Sequence, residues 1–357
     1  LTISIHTDDF KTLVESSKKA GYRFVAPVDE SGIRLFKPID RADRMYLSEI
    51  QSRKSPKEYF LAETEIILNY KRKGKHGIDV TESSDEKIAP PTVVFGCRPC
   101  DAAGPDIIRS VMTWDYDDQF FLERKRKTVV IAIACVEADE ACYCTSVKLA
   151  PDSDVGADIL LIPSNEKTGA KQEYLVKVVT EKGQEFIDKT SGWRKGNPIP
   201  SKALDEVKKY LEPAFDYDRV KKWLDANFDH DFWKTATLAC IACGTCTYVC
   251  PTCHCFDIVD EGSIDGGCRY KNWDSCMMQQ FTMHASGHNP RPLKTNRFRQ
   301  RIMHKFRYYN DMFDRILCSG CGRCQRHCPT DIALKGLLNR IDKIAREESE
   351  TAGAVKK

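Results

Sequence analysis

The apolar positions in the N-terminal part of the chain follow two different periods. Residues 8–21, DDFKTLVESSKKAG, place Phe10, Leu13 and Val14 at helical spacing and stop at Gly21, and Tyr22 to Val28 then reads as a short strand. Thr92 to Phe95, Thr128 to Ala134 and Ile159 to Ile162 are short, β-branched and flanked by loops, which predicts buried strands. Gly104 to Trp114 reads as a helix between the first two, and Leu175 to Phe186 as a strand turning into a helix. Strands alternating with helices predict an α/β domain. Further on, Phe215 to Trp233 carries Val220, Trp223, Leu224 and Phe228 on one helical face. Arg301 to Leu317 carries a second stripe of Ile302, Phe306, Tyr309, Phe313 and Ile316.

Composition narrows the function classes. The 357 residues hold Lys+Arg 55 against Asp+Glu 52, a net charge of +3, so the chain lacks the broad basic field that binds nucleic acid. The longest clean apolar run, Val129 to Val136, is far below the roughly 20 residues of a membrane helix. The opening LTISIHTDDF has no basic segment, apolar segment or cleavage site of a secretory signal, so a cytoplasmic protein without membrane insertion is expected.

The 17 cysteines change the picture. Their number is odd and no export signal supports a disulfide framework, which favours metal ligation. Cys240, Cys243, Cys246 and Cys250-Pro251 form one motif, and Cys318, Cys321, Cys324 and Cys328-Pro329 repeat it. Both fit C-x2-C-x2-C-x3-C-P, the run of two-cluster ferredoxins, in which the fourth cysteine serves the other cluster. Three thiolates on one tight loop can cap three irons of a cubane. One [4Fe-4S] cluster is therefore expected on Cys240, Cys243, Cys246 and Cys328, and a second on Cys318, Cys321, Cys324 and Cys250. Gly244 and Gly322 would let backbone N–H groups approach the sulfides. Zinc needs four ligands in two pairs and has no use for this doubled pattern. The helical stripe between the motifs predicts an α-helical ferredoxin-like domain over residues 211–345, after an α/β domain over 1–210 and before a flexible tail at 346–357.

Cys97, Cys100, Cys135, Cys142 and Cys144 follow two predicted strands. Ligand sites in α/β sheets form beyond the carboxyl ends of strands, so adjacent strands would bring these thiols together. A third [4Fe-4S] cluster on Cys100, Cys135, Cys142 and Cys144 is expected, with spacing alone leaving Cys97 as an alternative to Cys100. A zinc site or unrelated buried thiols are the competing readings. Cys253, Cys255 and Cys276 are candidates for an extra metal site, for thiols that tune a cluster, for redox chemistry or for simple packing, and Cys268 stands with them. His284, His288 and His304 are weaker ligand candidates.

The stretches SPKEYFLAETEIILNY (55–70), FGCRPCDAAG (95–104), ACVEADEACYCTS (134–146), CIACGTCTYVCPTCHCFDI (240–258), WDSC (273–276), SGHNPR (286–291) and CSGCGRCQRHCPTDI (318–332) resemble, in order, a known family. It is the family of the iron–sulfur β subunit of soluble sulfhydrogenases and the A subunit of anaerobic sulfite reductase. The resemblance implies anaerobic metabolism and places the N-terminal ligand on the cysteine of Pro-Cys-Asp, which is Cys100. It implies a hetero-oligomeric redox complex in which this subunit passes single electrons. It would relay them between a flavoprotein, NAD(P)H-oxidising subunit or ferredoxin on one side and a catalytic reductase or hydrogenase subunit on the other. The chain itself shows no Gly-x-Gly-x-x-Gly after a strand, no Walker loop and no nucleophile–base pair, so neither FAD nor NAD is expected on it, and no catalytic residue is assigned. A self-contained sulfur- or sulfite-type reductase with an open-site cluster is the alternative. A run of cations without acids, Arg291, Lys294, Arg297, Arg299, Arg301, Lys305 and Arg307, reads as a solvated positive face, or as a group that raises cluster potentials or docks an acidic partner.

Overall fold

A computed structural model describes residues 2–47, 50–74, 76–82, 89–168 and 171–354. The strands are β1 (Ile3–His6), β2 (Arg23–Glu30), β3 (Ile33–Pro38), β4 (Thr64–Lys73), β5 (Gly77–Glu82), β6 (Thr92–Cys97), β7 (Thr128–Ile133), β8 (Ile159–Thr168), β9 (Lys171–Val178), β10 (Arg194–Lys195), β11 (Phe256–Ser263) and β12 (Gly266–Trp273). Two sheets result, ordered β10-β1-β9-β8-β7-β6-β2-β3 and β11-β12-β4-β5.

The centre of the larger sheet is parallel, β2 to β6 to β7 to β8. Every residue of β6 and β7 is buried, as expected for strands covered on both faces. Their side chains divide by the two-residue period. Val93, Phe95, Val129, Ile131 and Ile133 pack with Phe10, Leu13, Val14 and Phe186 from the helices Phe10–Lys19 and Glu181–Lys189. Val94, Val130 and Ala132 pack on the opposite face with Ile107, Ile108, Met112 and Phe121 from the helices Pro99–Met112 and Gln119–Lys127. The α/β expectation holds for this three-layer arrangement, with antiparallel strands added at its edges.

The division at residue 210 is not a clean one. β4 from the N-terminal part pairs antiparallel with β12, which lies between the two cysteine motifs. The region between the motifs thus contains a β-hairpin as well as helices, so the C-terminal part is not wholly α-helical. Its core is built by Val220, Trp223, Leu224, Phe298, Ile302, Phe306, Leu337, Leu338 and Ile341. The expected helix Phe215–Trp233 is two helices, Tyr217–Ala226 and Phe232–Ala236. The tail expected from residue 346 instead continues the helix Leu334–Ala354, held where the Trp223 indole N–H donates to Glu348 at 3.1 Å; residues 355–357 lie outside the described residues.

Candidate metal centres

The loop of the first motif turns through left-handed backbone at Ala242 and Gly244 (φ 57° and 77°). Gly244 caps the short helix Thr245–Tyr248, and a Cβ there would meet Met278 Cε at 2.7 Å. This winding brings Cys240, Cys243 and Cys246 to one pocket, to which the second motif adds both Cys328 and Cys324 from across the module. Ile241, Phe298, Pro329 and Ile332 give it apolar walls, and Arg301 enters its lining.

The second motif repeats the geometry. Gly322 (φ 73°) caps the short helix Arg323–Arg326. Each loop has an N–H aimed at its first cysteine: Ala242 N–H to Cys240 Sγ and Gly320 N–H to Cys318 Sγ, both at 3.4 Å. Cys250, Cys318 and Cys321 are buried. At Gly320 (φ 65°) a Cβ would lie 2.5 Å from the backbone nitrogen of Cys144, so only glycine lets this loop close against the N-terminal cysteine segment. Tyr143 N–H donates to the Gly320 carbonyl at 2.9 Å, and its hydroxyl lies 3.2 Å from Cys318 Sγ.

The N-terminal cysteines gather beyond the carboxyl ends of the adjacent parallel strands β6 and β7. Cys100 sits in the first turn of the helix Pro99–Met112, and it shares one pocket with Cys135, Cys142 and Cys144. Cys321 of the second motif borders the same pocket. Two side chains donate to these sulfurs, Gln51 to Cys100 at 3.0 Å and Arg326 to Cys142 at 3.1 Å. Cys97 is elsewhere. It is 1% exposed, packs among Val25, Val94 and Ala132, and its Sγ lies 3.9 Å from the Ile131 carbonyl.

The basic run is not one solvated face. Arg297, Arg301 and Lys305 are buried. Arg297 donates to the Met277, Arg291 and Pro292 carbonyls. Arg301 donates to the Cys246 carbonyl at 3.3 Å. Lys305 donates to Cys250 Sγ at 3.4 Å, to Thr252 at 3.1 Å and to the Leu317 carbonyl at 2.9 Å. Among the described residues, no ion pair joins Arg301 or Lys305 to a carboxylate. Burial opposes the charge of Lys305, yet the sulfurs of Cys250, Cys253 and Cys318 hold its pKa above the ordinary lysine range. Arg301 is treated alike by burial and by Cys246, Cys324, Cys253 and Cys250. Arg299 and Arg307 do pair outward, with Asp229 at 2.8 Å and Asp225 at 3.2 Å.

Burial pushes Cys135 and Cys246 up to about 11 and Cys144 and Cys321 up to about 12. Sulfurs this dry keep their protons until a metal replaces them. Two other residues escaped the sequence reading. Lys57 is buried, donates to the Cys253 carbonyl at 2.7 Å and is lowered to about 8 by desolvation. Arg323 is buried against Asp101.

The remaining candidates separate. The Cys253 thiol contacts Cys250, and Cys255 contacts Cys276. Cys268, on β12, donates to Asn69 at 2.9 Å. His304 faces His254 with ring centroids 5.5 Å apart, whereas His284 and His288 are exposed. Among the described residues, no three Cys, His, Asp or Glu side chains stand close enough to hold a single metal ion. No helix among the described residues is long and apolar enough to cross a membrane.

Two loops of four cysteines each, bracketed by helices, define a class, and residues 239–332 match the 4Fe-4S dicluster domain family. The likeness extends beyond that module. The chain is 28% identical over 353 residues to the sulfhydrogenase 2 subunit beta of Pyrococcus furiosus, covering 95% of this chain and 98% of the relative. The sulfhydrogenase β-subunit resemblance drawn from the motifs is thereby borne out along nearly the whole sequence. No solved structure matches the chain.

Proposed function

We propose that this protein is an electron-transfer subunit that passes single electrons through three [4Fe-4S] clusters. The ligand sets are Cys240, Cys243, Cys246 and Cys328; Cys318, Cys321, Cys324 and Cys250; and Cys100, Cys135, Cys142 and Cys144. The observation that carries this reading is the burial of Arg301 and Lys305 against cysteine sulfur with no carboxylate partner among the described residues. Buried cations without counter-charge are costly. A lone Cys250 thiolate, favoured by the Cys253 hydrogen bond and by Lys305, offsets one of these charges, whereas a cubane with four thiolates is anionic and compensates both. When bound, such clusters supply one-electron redox chemistry at potentials set by charge, burial and N–H···S bonds. The protein's own part is to donate from Ala242, Gly320, Gln51 and Arg326 and to bias the reduced state with buried cations.

The proximity of the second motif to the N-terminal pocket, with Cys321 bordering both, supports a continuous path across the chain. Likeness to a hydrogenase β subunit supports a hetero-oligomer with a flavoprotein or NAD(P)H-oxidising partner, or ferredoxin, on one side and a catalytic redox subunit on the other. The test is purification under anaerobic conditions. A conductor binds iron, is bleached by dithionite and turns over no substrate alone. Turnover with reduced viologen in the absence of any partner would instead identify a self-contained reductase.

A further inference from the structure

Cys255 and Cys276 belong to none of the three ligand sets, and the fold brings them together deliberately. Cys255 directly precedes β11 and Cys276 follows β12, so the base of the hairpin joins them. The register supports the junction, with Phe256 opposite Trp273 and Asp274 N–H donating to the Cys255 carbonyl at 2.9 Å. The two thiols are in hydrogen-bond contact, and both are partly accessible. They line an open pocket of about 420 Å³ together with Phe256, Phe281, Arg291, Arg301 and His304. Arg301 also lines the pocket of Cys240, Cys243, Cys246 and Cys328, so one side chain separates the thiol pair from a proposed cubane. No third metal-binding side chain joins the pair among the described residues.

We propose that Cys255 and Cys276 form a redox-active dithiol that exchanges with acidic low-molecular-weight disulfides in this pocket. The hydrogen bond from Cys276 lowers Cys255 to about 7, against the opposing effect of burial, which makes Cys255 the attacking sulfur and Cys276 the resolving one. The Cys255 thiolate attacks one sulfur of the substrate, the substrate S–S bond breaks, and the first thiolate leaves. Cys276 then gives up its proton and attacks Cys255 Sγ, releasing the second thiolate. The net change is one substrate disulfide and two protein thiols converted to two free thiols and a Cys255–Cys276 disulfide, with both protons ending on the released thiols. Arg291 favours carboxylate-bearing substituents. Return of the disulfide to the dithiol would take two electrons, which reduced clusters on the neighbouring cysteines would supply, and two protons from water. That return step rests on the cluster reading; the exchange itself does not.

The full-length protein, prepared anaerobically and reduced, is mixed with one equivalent of 3,3′-dithiodipropionate, alkylated and digested. Roughly two thiols should be released per chain, with a peptide cross-linked through Cys255 and Cys276. The dicationic disulfide cystamine should react about tenfold more slowly. Cys255→Ser should abolish release. Cys276→Ala should stop at a mixed disulfide on Cys255 after one thiol is released. Both variants should keep the wild-type iron content, which also reports that they fold. Failure to cross-link, undiminished release in Cys255→Ser, or loss of iron in either variant overturns the proposal, the last by making the pair metal ligands. Failure of the cluster reading would appear separately, as iron-free wild-type protein that still performs the exchange.

Discussion

Arg323 and Asp101 form a fully buried ion pair, with side chains 0% and 1% exposed, between two different cysteine loops. Asp101 follows Cys100, and Arg323 precedes Cys324. The guanidinium spans both carboxylate oxygens, Nη2 reaching Oδ2 at 2.9 Å, and it also donates to the Ser52 carbonyl at 2.9 Å and hydroxyl at 3.1 Å. The pair therefore fixes the distance between the N-terminal pocket and the second motif. A planar fork meets a carboxylate here, which lysine cannot reproduce.

Removing one partner leaves the other charge buried. Asp101→Asn should cost about 3–5 kcal/mol of stability. Arg323→Lys should also destabilise. Denaturation by guanidinium chloride under anaerobic conditions measures both. A double variant, Asp101→Asn with Arg323→Met, should be less destabilised than the sum of the single changes Asp101→Asn and Arg323→Met, and simple additivity would refute the coupling.

Serine at a cluster ligand should remove one cubane and spare the others. Cys246→Ser and Cys100→Ser should each lower iron by roughly 4 from a total of roughly 12 per chain. Cys97→Ser should keep all of it, because that thiol lies in the core rather than in the pocket. Iron analysis decides the matter, and equal loss in Cys97→Ser and Cys100→Ser would displace Cys100 from its role.

Lys305 places a positive charge against Cys250. Lys305→Met should make the potential of the cluster held by Cys250 more negative by an amount on the order of 100 mV, the scale of a single charge a few ångströms away at an effective dielectric near 20. An EPR-monitored redox titration reads this directly. An unchanged or more positive potential would show that Lys305 does not set the cluster's charge environment.

Burial lowers His254 to about 3 and His304 to about 4, with Lys305 adding to both shifts. Each ring is neutral in the folded protein but takes a proton near its ordinary pKa when unfolded. The unfolded state thus binds more protons between roughly pH 4 and 6.5, and stability falls as pH drops through that window, by up to about 1.4 kcal/mol per pH unit for each ring. Above pH 6.5 the contribution is complete. His304→Gln should flatten the pH dependence of the urea midpoint between pH 7.5 and 5.5. An identical slope in the variant would show that His304 titrates normally.

The parts of this molecule that were legible in its sequence carry strong local signals. β6, β7 and β8 announce themselves because strands buried on both faces need continuous apolar runs. The cysteine loops do so because cubane ligation fixes their spacing. The hairpin β11–β12 gave no such signal, since its outer strand is almost wholly exposed and follows no apolar period. Nor could spacing separate Cys97 from Cys100, because that depends on where strand β6 ends and the helix begins. Cys97 is the last strand residue and turns into the core, while Cys100 lies on the helix that follows. The buried cations were harder still. Arg301 and Lys305 look like surface charges until the cysteine loops are folded over them.

The central claim is that the cysteine pockets carry cubanes that accept and pass electrons. Spin-quantified EPR of anaerobically purified protein during titration with dithionite tests it most directly. The account predicts roughly 12 iron atoms per chain and about three one-electron cubane signals appearing on reduction. Protein free of iron, or iron whose spectrum stays unchanged under strong reductant, would contradict it.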